Sequence, residues 1–211
     1  MRWDVYLITD PEHSRGLTLS DVITQAVCAG VDVVELRDTV TPLARLTEIG
    51  RIVREITRSV GATLIVADRV DVAMAIDADG VHVWSGVATI SAVKEALLPG
   101  KLVGASVRSL EEAKRAEKAG ASFLIVGPIF ANSADLLSGK PIGLAVLTQI
   151  KKTVAIPVLA GGGIDADNVE EVIRNGADGV AVVSAIACSP DIPQAVRGLR
   201  SAIEAACSKR S

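Results

Sequence analysis

The chain has 211 residues, 49% of them hydrophobic but only 2% aromatic, with a formal charge of −3. That length buries one substantial core and lies at the short end for a closed α/β barrel, while mixed charge with so few rings for bases to stack on argues against a nucleic-acid partner. Cys28, Cys188 and Cys207 form no CxxC pair and there are two histidines, His13 and His82, which speaks against a clustered transition-metal site and for a reducing compartment.

In chain order, residues 1–10 lack a charged segment followed by a long apolar run, and later apolar runs are too short and interrupted to span a bilayer. A cytoplasmic protein without a membrane segment is expected. Short β-branched runs predict strands at 5–9, 33–37, 63–66, 80–83, 101–106, 123–127, 157–160 and 179–183. Segments with helical spacing, such as 43–59, 110–119 and 168–174, lie between them. Four phrases recur, AGVDVVELR (29–37), DADGVHV (77–83), KAGASFLIVG (118–127) and NGADGVAVVSA (175–185), each reading as a helix end, a turn and a strand. Strand and helix thus alternate eight times, which predicts a single (β/α)8 TIM barrel of the α/β class, one domain over 1–211 with a frayed end at 208–211. A doubly wound sheet is the other α/β option, but TDPEHSRGLT after the first strand carries no GxGxxG fingerprint.

Function in such a barrel belongs at the carboxyl ends of the strands. The candidates there are Asp10, His13, Glu35, Arg37, Asp38, Asp68, Arg69, Ser106, Arg108, Asn132, Ser133, Asp135, Gly161, Gly162, Gly163, Val183 and Ser184. Gly161 to Gly163 strip every Cβ from the turn after strand seven, so a ligand oxyanion can approach backbone amides, and Val183 and Ser184 end strand eight beside them. A tight turn with no ligand is the structural alternative. Glu35 and Arg37 share the inner face of strand two, so Arg37 is expected to clamp an anion with Glu35 as its partner, or the two form a structural bridge. Asp71 reads as a helix N-cap or first-turn acid. Asp68 can orient a ligand amine or contribute to a Mg2+ site, for which one carboxylate is a poor set. His82 points into the barrel and reads first as a hydrogen-bonded core residue, and His13 as a loop residue.

The motifs YLITD (6–10), VELRD (34–38), ADRVDVAMAIDADGVHV (67–83), VGASVRSLEEAKRAEKAGASFLIVGPIF (103–130), GLAVL (143–147), IPVLAGGGI (156–164) and ADGVAVVSAI (177–186) resemble the thiamine phosphate synthase and TenI family in order along nearly the whole chain. The resemblance implies a cytoplasmic enzyme of thiamine biosynthesis that holds a thiazole phosphate on the loops after strands seven and eight. In the synthase branch a pyrimidine diphosphate loses Mg2+-bound pyrophosphate and the thiazole nitrogen captures the resulting cation. In the TenI branch a thiazole carboxylate phosphate is tautomerised by proton transfer.

Carried over residue by residue, the resemblance retains Arg37, the metal-side Asp68, Ser106, Gly162, Gly163 and Ser184. It also implies departures. Glu35 and Thr39 replace a glutamine and a lysine, Ala67 an asparagine, and Val87 a second Mg2+ aspartate. Asn132, Ser133, Ala134 and Asp135 replace a phosphate-binding Thr-x-Thr-Lys, with Lys140 as a substitute cation, and Pro128 stands where the TenI branch has its acid/base histidine. Pro128 is a gap in the TenI reading, but HVWSG (82–86) and SVRSLEEAKRAEK (106–118) resemble TenI relatives, which also lack the second metal aspartate. A TenI-type role is therefore slightly favoured, with Glu35 or His82 as acid/base and Arg37 on the substrate carboxylate. A synthase using Mg2+ is the alternative, and a non-catalytic binder of a phosphorylated ligand is the third. The apolar outer helices permit a homodimer.

Overall fold

A computed structural model of the chain describes residues 3–10, 15–84, 89–131 and 140–209. Eight parallel strands follow one another around a closed barrel: β1 (Val5–Ile8), β2 (Val33–Leu36), β3 (Thr63–Ala67), β4 (Gly80–Val83), β5 (Leu102–Val107), β6 (Phe123–Val126), β7 (Val158–Gly161) and β8 (Gly179–Val182). β8 closes on β1 with Tyr6 opposite Ala181 and Leu7 opposite Val182. The expected strands are all present, with no end displaced by more than one residue. β7 starts at Val158 because Pro157 has no N–H for the ladder, although its carbonyl accepts from the Leu124 amide.

The outer layer consists of α1 (Leu19–Cys28), α2 (Leu43–Val60), α3 (Val70–Ala75), α4 (Ile90–Ala96), α5 (Leu110–Lys118), α6 (Gly143–Lys151), α7 (Val169–Arg174), the short α8 (Ser184–Ala187) and α9 (Ile192–Ser208). Thr18, Ser109 and Asp191 cap α1, α5 and α9 by accepting from the amides of Asp21, Glu112 and Gln194. α2 buries Leu46, Gly50, Val53 and Thr57, one face at helical spacing, and stops at Gly61 in the left-handed conformation. Among the described residues no helix is long and apolar enough to cross a membrane.

The core has two parts of different chemistry. Between strands and helices it is aliphatic, as the composition predicts, with Val, Ile, Leu and Ala. Along the barrel axis it is mixed: Trp3, Tyr6 and Phe123 join Ile8, Val33, Ile65, Ile125 and Leu159, Trp3 meeting Phe123 edge-on at 5.1 Å. Glycine at position 104 makes room for them, since a Cβ there would lie 2.1 Å from the Phe123 ring.

The four recurring phrases acquire a role that their sequences do not announce. Each runs into an even-numbered strand, and the polar side chain immediately before that strand accepts from an amide at the start of the odd-numbered strand that precedes it in the chain. Asp32 takes Asp4 and Val5, Asp79 takes Leu64, Ser122 takes Val103 and Asp178 takes Val158. A cation neutralises each of the three carboxylates: Arg200, Arg54 and Lys151 respectively. These pins hold the amino-terminal face of the barrel. Asp79→Ala strands both the Leu64 amide and the largely buried Arg54, so a loss on the order of 2 kcal/mol in chemical unfolding is expected.

Candidate functional site

The carboxyl ends of the strands carry the candidate residues. His13, Val87, Asn132, Ser133, Ala134 and Asp135 lie outside the described residues; the others can be placed. Glu35 is in β2 and wholly buried. Its Oε2 accepts from the Tyr6 hydroxyl at 2.7 Å and lies 2.8 Å from His82 Nδ1, while Oε1 accepts from the Trp84 indole N–H at 2.5 Å. His82 is equally buried, and its Nε2 lies 3.1 Å from the Ser106 hydroxyl at the end of β5. One chain of hydrogen bonds therefore runs from Tyr6 through Glu35 and His82 to Ser106, from the lumen to the mouth.

Burial raises the Glu35 carboxyl, but the His82 ring beside it and the donors Tyr6, His82 and Trp84 outweigh burial and hold it below its ordinary range. Burial first, and the Glu35 charge next, push Tyr6 well above its ordinary value. Tyr6 thus stays a donor and Glu35 an acceptor.

The expected Arg37–Glu35 pair does not form. Two residues apart on one strand, their side chains run side by side, whereas β1 and β4 present donors directly to the carboxylate. Arg37 instead lies over the Trp84 ring, 4.7 Å from its centroid, and its amide donates to Thr9. Asp38 is occupied locally, accepting from the amides of Val40 and Thr41; burial raises its carboxyl, and these bonds bring it below the ordinary value.

Asp68 is exposed in the left-handed conformation (φ 54°), with Oδ1 accepting from the Trp84 amide. Arg69 and Asp71 satisfy each other through two hydrogen bonds of 2.9 and 2.7 Å. Asp71 sits in the first turn of α3, whose N-cap is Arg69, so of its two expected roles only the first-turn acid holds. Among the described residues no group of three His, Cys, Asp or Glu side chains could hold a metal ion. A Mg2+ ion on Asp68 would leave nearly all of its octahedron to substrate phosphates and water, so the described residues do not form a Mg2+ centre by themselves.

On the far side of the mouth, the loop after β7 lies against the end of β8, with Gly161 opposite Ala181. Gly162 and Gly163 have φ of 90° and 67°, and a Cβ at Gly163 would come 2.9 Å from Phe130. The loop's carbonyls are committed: Gly161 and Gly162 accept from Ile129 and Phe130, and Gly163 from the Asn168 side chain. The amides of Gly162 and Gly163 make no hydrogen bond to the described residues. Val183 turns the chain after β8, and Ser184 opens α8. Lys140 is exposed, its carbonyl accepting from Arg108.

Sequence reasoning missed Tyr6 and Trp84. Both were legible by alternation: Tyr6 shares the inner face of β1 with Ile8, and Trp84 continues the face of Gly80 and His82.

A family model described as thiamine monophosphate synthase matches residues 5–186. A Roseiflexus protein named thiamine-phosphate synthase is 41% identical over 98% of this chain and 88% of its own length. One from Methanoculleus marisnigri with the same name is 42% identical over 98% of both. The solved thiamine phosphate pyrophosphorylase of Pyrococcus furiosus superposes with a TM-score of 0.88 at 39% identity, covering 97% of this chain and 96% of that one. A full-length match of this strength, on the barrel and rim just described, means that the chain belongs to the thiamine monophosphate synthase family.

Proposed function

We propose that the protein is a thiamine phosphate synthase, joining a pyrimidine diphosphate to a thiazole phosphate with release of pyrophosphate. The observation that carries this reading is likeness to proteins of that name over essentially the whole length of the chain at about two residues in five. It favours the synthase over the TenI-type role that the sequence slightly favoured.

The geometry supports the assignment of roles. The Gly162 and Gly163 amides, beside the start of α8, take the thiazole phosphate. Arg37 stands across the mouth to neutralise a second anion, and Ser106 lies between. The reaction breaks the bond between the pyrimidine methylene and the diphosphate oxygen, which leaves with its electron pair, and the thiazole nitrogen donates its own pair to the methylene. No proton moves in that step, so positioning and charge compensation are the protein's contribution.

A proton-transferring, TenI-type reaction remains the second reading because Glu35, His82 and Ser106 form a continuous hydrogen-bonded path to the mouth. Purified protein mixed with the pyrimidine diphosphate, thiazole phosphate and Mg2+ decides between them. Thiamine phosphate well above a protein-free blank is expected; none above the blank, together with accelerated aromatisation of the thiazole carboxylate phosphate, overturns the synthase. Binding without either reaction leaves a ligand-binding protein.

Gly163→Ala tests the phosphate loop. A non-glycine residue in the left-handed region costs about 1–2 kcal/mol, so a loop that relaxes when free and must return to this shape to hold thiazole phosphate should lose about five- to thirty-fold in affinity by calorimetry. Unchanged affinity would place the phosphate elsewhere.

A further inference from the structure

Trp84 touches both Glu35 and Arg37, the two charges that alternation along β2 sets side by side. Its indole N–H donates to Glu35 Oε1, and its ring carries the Arg37 guanidinium 4.7 Å from the centroid. Its backbone amide donates to Asp68 Oδ1 at 2.9 Å. The residue is thus pinned at the backbone and at the far end of the indole, and the face under Arg37 is held in place. Among the described residues the Arg37 guanidinium pairs with no carboxylate. An aromatic face attracts a cation but takes up none of its five N–H donors, and it holds less strongly than a carboxylate does.

We propose that Trp84 is a positioning residue that keeps Arg37 out of a salt bridge with Glu35, and so leaves the charge and donors of Arg37 to an anionic ligand. Residues i and i+2 of an extended segment lie about 6.6 Å apart, within an arginine's reach. Glu35 Oε2 is taken by Tyr6 and His82, whereas Oε1 has the Trp84 indole as its donor among the described residues. Without the indole, a wholly buried carboxylate oxygen lacks its donor, and a cation stands two residues along the same face. The salt bridge that then forms satisfies the carboxylate and withdraws the arginine from the ligand.

A residue that only filled space at this position would need neither its ring under a guanidinium nor its N–H on Glu35. The two roles make opposite predictions for a second substitution. If Trp84 only packs, adding Glu35→Gln to Trp84→Leu damages the site further. If Trp84 keeps two charges apart, Glu35→Gln removes the charge that captures Arg37, and the arginine is released. The inference rests on the proposed function in taking Arg37 as an anion-binding group; the effect of Trp84 on the distance between Arg37 and Glu35 does not depend on it.

Calorimetry with inorganic pyrophosphate reads the availability of Arg37, and crystal structures of the ligand-free variants read its position. Arg37→Ala sets the scale, a loss of about ten- to a hundredfold in Kd for a charge-assisted contact. Trp84→Leu should lose a similar factor and bring the guanidinium within about 4 Å of the Glu35 carboxylate. Trp84→Leu combined with Glu35→Gln should return to within about threefold of wild type. Trp84→Phe keeps a face for the cation but loses the N–H, so it should fall between wild type and Trp84→Leu and recover in the same way with Glu35→Gln; it replaces Trp84→Leu if that variant does not fold. Arg37 away from Glu35 in the Trp84→Leu structure, unchanged affinity in Trp84→Leu or Arg37→Ala, a double variant no tighter than Trp84→Leu, or a wild type that binds no pyrophosphate each overturns the proposal. Thiamine phosphate formed in the coupling assay alongside any of these leaves the synthase standing. No coupling, with the binding pattern as expected, removes the synthase and leaves Trp84 as the support of Arg37.

Discussion

Glu35→Ala should lower the unfolding free energy by about 3–5 kcal/mol, the cost of removing one partner from a buried charged network. The substitution leaves the Tyr6 hydroxyl, the Trp84 indole N–H and His82 Nδ1 without the carboxylate that pairs with them in the buried lumen, each at its desolvation cost. The methylenes lost add a cavity beside Tyr6. Urea unfolding followed by tryptophan fluorescence measures it, and a change under about 1 kcal/mol would mean that water replaces the carboxylate.

The same group gives the wild type a pH signature. The folded Glu35 carboxyl is held below its ordinary 4.5. A depressed folded value means stability that is fully present above the unfolded-state value and lost as pH falls through the folded one. The stability gap between wild type and Glu35→Gln should therefore be constant near neutrality and close on the acid side of 4.5. A gap that widens with acid would show that the folded carboxyl is raised instead.

Gly179→Ala should cost at least about 3 kcal/mol, beyond ordinary overpacking. A Cβ there would lie 1.9 Å from the Trp3 carbonyl oxygen and 3.0 Å from that of Asp4. Both atoms are backbone, so no rotamer change relieves the contact, and the strand must move away from β1 along the seam where Val5 meets Val180. Gly198→Ala in α9 is the matched control, with nothing within 4 Å of its added Cβ; it should gain about 0.5–1 kcal/mol from helix propensity. Thermal melts of the two variants, moving in opposite directions, separate the steric effect from a general intolerance of alanine.

Most of the architecture was open to inspection in the sequence. Apolar runs such as VVEL and FLIV, set between helical segments and glycine turns, specify strand and helix through local periodicity, and eight such pairs leave little choice of fold. The glycine loop was legible for the same reason, since consecutive glycines beside a strand end have few other uses. Glu35 shows where local reading stops. Alternation placed it correctly on the inner face, but its nearest inward neighbour in sequence, Arg37, was the wrong partner.

The true partners lie 29, 47 and 49 positions away in Tyr6, His82 and Trp84. No local pattern ranks one inward-facing residue of β1 or β4 above another; closure of the barrel does, because stagger and curvature decide which side chains meet across the axis. The aromatic lumen arose in the same way, since composition counts rings without saying that they collect on one axis. Faces and strand order follow from the chain's own periodicity, and the glycine turn after β7 from its run of glycines. Which groups surround the buried carboxylate is decided only when the eight strands close and bring the inner faces of β1, β2 and β4 together.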